Sequence, residues 1–175
     1  MSGSKPLGSP PTTFDEIITE EQSLTLPHFT SDDAFALGTA LRTRLRQVTD
    51  RPAVINIVLA NNQQLLFHAT SRPGTVPEND NWVLRKRNLV LRFGFSTWAA
   101  HVVFEGNEEK FKERFQLGEK AGDYAIHGGG VPLRVKGVEG PVGAIVVSGL
   151  AQEEDHEVIV ECLQAFLAST ASQDV

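Results

Sequence analysis

The run His127-Gly128-Gly129-Gly130-Val131-Pro132 places three glycines directly after a histidine. Glycine reaches backbone angles closed to other residues and lets a ligand or a second chain come close, at a cost of roughly 0.5–1 kcal/mol wherever regular structure is intended. Three readings compete for the run: an oxyanion hole of the lipase type, a loop that cradles a ligand, and a plain bend into a strand. The first requires a Gly-x-Ser-x-Gly nucleophile elbow. Gly94-Phe-Ser96-Thr-Trp98 lacks the second glycine and Ser148-Gly149 lacks the first, so hydrolase chemistry is set aside.

The histidines are His28, His68, His101, His127 and His156, and no two stand at the i, i+4 spacing of a zinc-binding helix. No metal is assigned. His68 ends a core strand and His127 abuts the glycines, which makes them the two candidates for chemistry. His156, beside Asp155 near a helix start, reads as a solvated or capping residue. Asn81, Arg85, Asn88, Arg92 and Ser96 follow helical steps and form one narrow polar stripe in an otherwise apolar stretch. Two guanidinium groups on such a stripe suit an anion or carboxylate pocket beside the glycines, or ion pairing with Glu153, Glu154 or Asp155. Lys86 and Arg87 point elsewhere and read as surface charges. The candidate ligand-binding set is therefore Arg85, Arg92, His68, His127, Gly128, Gly129 and Gly130; no catalytic set is assigned.

The elements that must position these residues follow from pattern. Thr30-Ser31-Asp32-Asp33 caps a helix over about 32–49, and Val54–Leu59 and Gln64–His68 form a hairpin around Asn61-Asn62. A long helix covers about 80–98 and a short one 108–115. Val131–Val135 and Gly143–Val147 form a second hairpin, and a helix from Gln152 to about Ala168 closes the chain. Phe14–Glu21 suits a further helix, and Leu24–Phe29 is extended because Pro27 bars a helix interior. The fold class is α+β: an antiparallel sheet of about five strands, covered mainly on one face by helices, in a single domain spanning 14–170 with tails at 1–13 and 171–175.

Composition narrows the function. The 175 residues carry a net charge of −6, which opposes general nucleic-acid affinity. No apolar run approaches the roughly 20 residues that span a bilayer, so no membrane association is expected. The single cysteine, Cys162, excludes an internal disulfide and suits the cytoplasm.

Four segments together resemble a known family: GGGVPLRVKG (128–137), GPVGAIVVSGLAQEEDHEVI (140–159), NNQQLLFHA (61–69) and NDNWVLRKRNLVLRFG (79–94). They are similar to the haem-degrading HbpS-like proteins, a group that includes GlcG-type proteins, and to its widespread functionally uncharacterised branch. The resemblance implies a compact α+β domain assembled as a homodimer or larger oligomer. Two functions are expected. One is a cytosolic binding protein for a partner protein or small anion, without established catalysis. The alternative is a haem-binding protein with weak haem-degrading activity, with His68 or His127 near the iron and Arg85 or Arg92 at the propionates.

Overall fold

The computed structural model describes residues 5–171. Six helices and four strands succeed one another: α1 (Phe14–Ser23), α2 (Ser31–Val48), β1 (Val54–Leu59), β2 (Leu65–Thr70), α3 (Pro77–Phe93), α4 (Thr97–Val103), α5 (Glu108–Arg114), β3 (Gly130–Leu133), β4 (Gly143–Ser148) and α6 (Gln152–Ala171). All pairings are antiparallel in the order β2-β1-β4-β3. The α+β class holds, with four strands where about five were expected. The missing member is the Leu24–Phe29 segment, which makes only one isolated parallel bridge, Leu26 to Val135. Pro27 follows at once and has no N–H to extend the ladder.

The pleat divides the sheet residues between two apolar layers. Ile55, Ile57, Val131, Leu133, Ile145 and Val147 pack with Leu37, Leu41 and Leu45 of α2 and with Val158, Ile159 and Leu163 of α6. On the opposite face Val54 and Val146 meet Val83, while Val58 and Ala144 meet Val90, so α3 covers that side. The expectation of a sheet covered mainly on one face is corrected accordingly. The two central strands are buried on both faces, which is why Val54-Ile-Asn-Ile-Val-Leu59 is apolar almost throughout instead of alternating.

Local chemistry sets the helix ends. Thr30 and Asp33 form a reciprocal capping box at α2, as their spacing predicts. The single helix expected over 80–98 is two. Gly94 ends α3 in the left-handed conformation (φ 77°), and the Ser96 hydroxyl accepts from Ala99 N to start α4. The chain therefore turns just where the polar stripe was extrapolated onward to Ser96.

Of the expected N-terminal tail, residues 1–4 lie outside the described residues. Residues 5–13 lie against the domain: the Lys5 carbonyl accepts from Arg44 Nη2 (2.8 Å) and that of Pro11 from Trp98 Nε1 (2.8 Å). At the other end residues 172–175 lie outside the described residues. Among the described residues no helix is long and apolar enough to cross a membrane.

Candidate functional site

The first half of α3, His127, the end of β4 with the turn that follows it, and the start of α6 enclose a cleft of about 490 Å³ lined by Asn79, Trp82, Lys86, His127, Gln152 and Asp155, among others; the predicted Gly128, Gly129 and Gly130 lie beside it and not on its wall. Its floor is an ion pair. Lys86 Nζ lies 3.1 Å from Asp155 Oδ2, both side chains are only 3% exposed, and Lys86 also donates to the Val147 carbonyl at 3.0 Å. Asp155 in turn accepts from the backbone of Gly149 (3.3 Å) and Leu150 (3.0 Å). Burial pushes the Lys86 ammonium down and the Asp155 carboxyl up, and each charge opposes that effect on the other. Lys86 is thus a core residue, not the surface charge that its neighbours in sequence suggested. Its place between Val83 and Val90, at steps of three and four, was the legible signal.

The glycine loop fits against this pair. Gly129 has φ 111°, and a Cβ there would stand 2.7 Å from Asp155 Cβ, 2.8 Å from Lys86 Nζ and closer still to the Val147 carbonyl. At Gly130 a Cβ would meet Thr97, Val90 and Lys86 at 3.0–3.3 Å. The loop passes close against α3, with Lys86 as the residue approached.

His127 forms one wall. Its ring stands edge to face with Trp82 (centroids 5.1 Å apart), and its Nδ1 lies 3.6 Å from Glu108 Oε1. Burial lowers its pKa; Glu108 opposes this, and the positive charge of Lys86 and the neighbouring His101 and Arg85 add to the lowering. The ring is therefore neutral near pH 7. Its Nδ1 is buried without a hydrogen-bond partner, Glu108 being beyond hydrogen-bond reach, and a neutral ring keeps one nitrogen as an acceptor. Behind it, the Gln152 amide joins loop to helix: Oε1 accepts from Gly128 N (3.3 Å) and Nε2 meets His101 Nε2 (3.3 Å). His101 is stacked on Trp98.

The structure brings together some of the sequence-derived candidates and separates others. Arg85 reaches the His127 group from behind: it lies 3.9 Å from the same Glu108 oxygen, sits over the Trp82 ring at 4.7 Å, and donates to the Tyr124 carbonyl. Arg92 is bound to the Tyr124 hydroxyl (2.7 Å) and Asn88 to the Asp123 carbonyl, so the polar stripe clamps the 123–124 segment and does not pair with α6. His68 lies on the other flank of α3, in a separate hollow with Asp80 and Asn56. Trp82, Lys86, Gln152 and Asp155 complete the cleft, with Glu108 behind His127 in a neighbouring hollow, and sequence reasoning did not assign them to a site. Among the described residues no group of three or more His, Cys, Asp or Glu side chains is placed to hold a metal ion.

His156 is fully buried, not solvated, and both its ring nitrogens lack a hydrogen-bond partner. Burial, reinforced by Lys86, lowers its pKa to about 3. In the unfolded chain an imidazole takes up its proton near pH 6.5. The unfolded state therefore binds the extra proton as pH falls from about 6.5 towards 3, and stability drops across that window. Urea unfolding at pH 7 and pH 5 checks this: the loss of stability on acidification is expected to be smaller in His156→Phe than in the parent. Equal losses would show that His156 is hydrated.

The fold and site define a class: an antiparallel four-stranded α+β domain with a ligand-sized cleft beside a glycine-rich loop. The family model described as haem degrading protein HbpS-like matches residues 29–164, and the chain belongs to that family. A UPF0303 protein of Streptomyces avermitilis is 42% identical over 157 residues, covering 90% of this chain and 92% of that protein. The crystal structure of Ybr137w protein superposes with a TM-score of 0.83 at 32% identity, covering 90% of this chain and 89% of that one. A PduOC:heme complex superposes with a TM-score of 0.60 at 19% identity over 78% of this chain and 94% of that one, a likeness of fold.

Proposed function

We propose that the protein is a homo-oligomeric cytosolic binding protein, without catalysis of its own, whose ligand is a small molecule held in the cleft. The observation that carries this reading is the pairing of Trp82 with a neutral His127 on the cleft wall. A planar ligand packs against the part of the indole left open by Arg85 and His127, and a hydrogen-bond donor meets the unprotonated nitrogen of the imidazole. A small anion, the ligand type expected from the arginine stripe, gains little here. Lys86 is committed to Asp155, Arg85 to Glu108 and the Tyr124 carbonyl, and Arg92 to the Tyr124 hydroxyl. Binding of a weakly charged, planar molecule is the form of the proposal that the charges favour. The cytosolic assignment rests on Cys162 as the single cysteine, which forms no internal disulfide and so suits a reducing compartment.

Haem is the second reading, favoured by His127 as an axial ligand and by the haem named for the PduOC neighbour. Haem also needs a broad apolar slot. Trp82 and Leu150 are the only large apolar side chains on a wall otherwise made by Asn79, Lys86, His127, Gln152, Glu153, Asp155 and small residues. The cleft of one chain does not fit the macrocycle.

Titration with nicotinamide, nicotinate and haemin separates the readings. Tryptophan quenching by nicotinamide is expected, with affinity reduced about tenfold or more in Trp82→Ala, as for loss of an aromatic anchor. Stronger binding of nicotinate would restore the anion reading. A Soret shift lost in His127→Ala would establish haem, and silence towards all three probes would remove the cleft from consideration.

A further inference from the structure

On the flank of α3 away from the cleft lies a hollow of about 410 Å³ lined by Asn56, Leu65, His68, Asp80, Leu84 and Arg87, among others. It sits beside β2, an edge strand of the sheet. Leu65 is 56% exposed and Leu84 43%, so the hollow has an uncovered apolar centre. Two polar atoms in it are buried without a partner: Asn56 Oδ1, an acceptor, and Arg87 Nε, a donor. Among the described residues no carboxylate lies within ion-pair distance of Arg87, while Asp80 stands 60% exposed and meets only His68, at 3.5 Å, as an ion-pair partner. The face thus holds an unpaired cation, an exposed anion and an apolar centre.

Spacing says what covers it. Asp80, Leu84 and Arg87 follow steps of four and three, which puts them on one stripe of α3 with Leu84 between the charges. A second α3 running antiparallel across a two-fold axis at Leu84 would set leucine against leucine. It would also bring each Arg87 opposite the partner subunit's Asp80. Self-complementarity of this kind is what a two-fold interface requires, and an apolar centre rimmed by charge is its usual anatomy. We propose that this face of α3, with Leu65 of the adjoining β2 edge, is a two-fold contact with a second copy of the chain, formed by Leu84 at the axis and reciprocal Arg87–Asp80 pairs. This rests on the homo-oligomeric reading above and adds which surface makes the contact. It also leaves the cleft on the opposite flank of α3 open, so that assembly and ligand binding do not compete.

Light scattering at micromolar concentration is the test. The parent protein is expected to scatter as an even multiple of 19.1 kDa. Leu84→Glu places two like charges at the axis and is expected to weaken the contact about 100-fold or more, at least halving the mass. Asp80→Arg is expected to do the same, and Asp80→Arg with Arg87→Asp to restore the assembly by exchanging the charges. Should Leu84→Glu fail to fold, Leu84→Cys is read instead: oxidation is expected to link the introduced thiols into a covalent dimer, with Cys162 too buried to react. A parent of single-chain mass overturns the homo-oligomeric reading itself. A parent assembly unchanged in Leu84→Glu, or an uncrosslinked Leu84→Cys, overturns only the placement of the contact.

Discussion

Lys86→Met is expected to lower the free energy of unfolding by about 3–5 kcal/mol, the range for removing one member of a buried ion pair. The side chain is 3% exposed and its ammonium lies against Asp155. Its loss leaves the carboxylate in the core with two backbone N–H groups as its only donors. The Val147 carbonyl loses its ammonium donor at the same time. Adding Asp155→Leu is expected to recover part of the loss, because a pair replaced by apolar groups of similar volume is often neutral while a broken pair is not. Urea unfolding of both single variants and the double variant measures the coupling. Strictly additive losses would show that the pair is hydrated and that the cleft floor is wet. Because Lys86 lies in the cleft floor, the same variant is expected to weaken ligand binding.

Gly129→Val is the second large effect, expected to cost about 4 kcal/mol or more, in the tail reached by few single substitutions. Strain at positive φ alone is worth about 1–3 kcal/mol. At Gly129 the new Cβ also runs into Asp155 and Lys86, and into the Val147 carbonyl, which belongs to the sheet and cannot withdraw. Gly137→Val provides the comparison, since φ there is 76° but nothing lies within 4 Å. It should show the backbone penalty without the collision. In a chain of this size about 4 kcal/mol corresponds to a fall in melting temperature of about 8–16 °C. Equal melting temperatures for the two variants would mean that the loop moves aside and that the close approach is not needed for stability.

The local elements were legible because local chemistry sets them. Thr30 and Asp33 announce a capped helix, Asn61-Asn62 a reversal, and the glycines before Val131 a backbone in close contact with something. Helical periodicity also placed Arg85, Asn88 and Arg92 on one face, and they do act together, on the Asp123–Tyr124 segment. Periodicity states which residues share a face but not which element that face will meet. Only the tertiary structure decided that α3 lies on the second face of the sheet, that Lys86 and not its neighbouring arginines enters the core, and that His68 and His127 fall on opposite flanks of α3. A lysine keeps its charge in an apolar interior when a carboxylate stands beside it, and Asp155 stands 69 positions further along the chain. The cleft joins α3, His127, the end of β4 and the start of α6, and its ion pair and its Trp82–His127 wall exist only because the fold closes those distances.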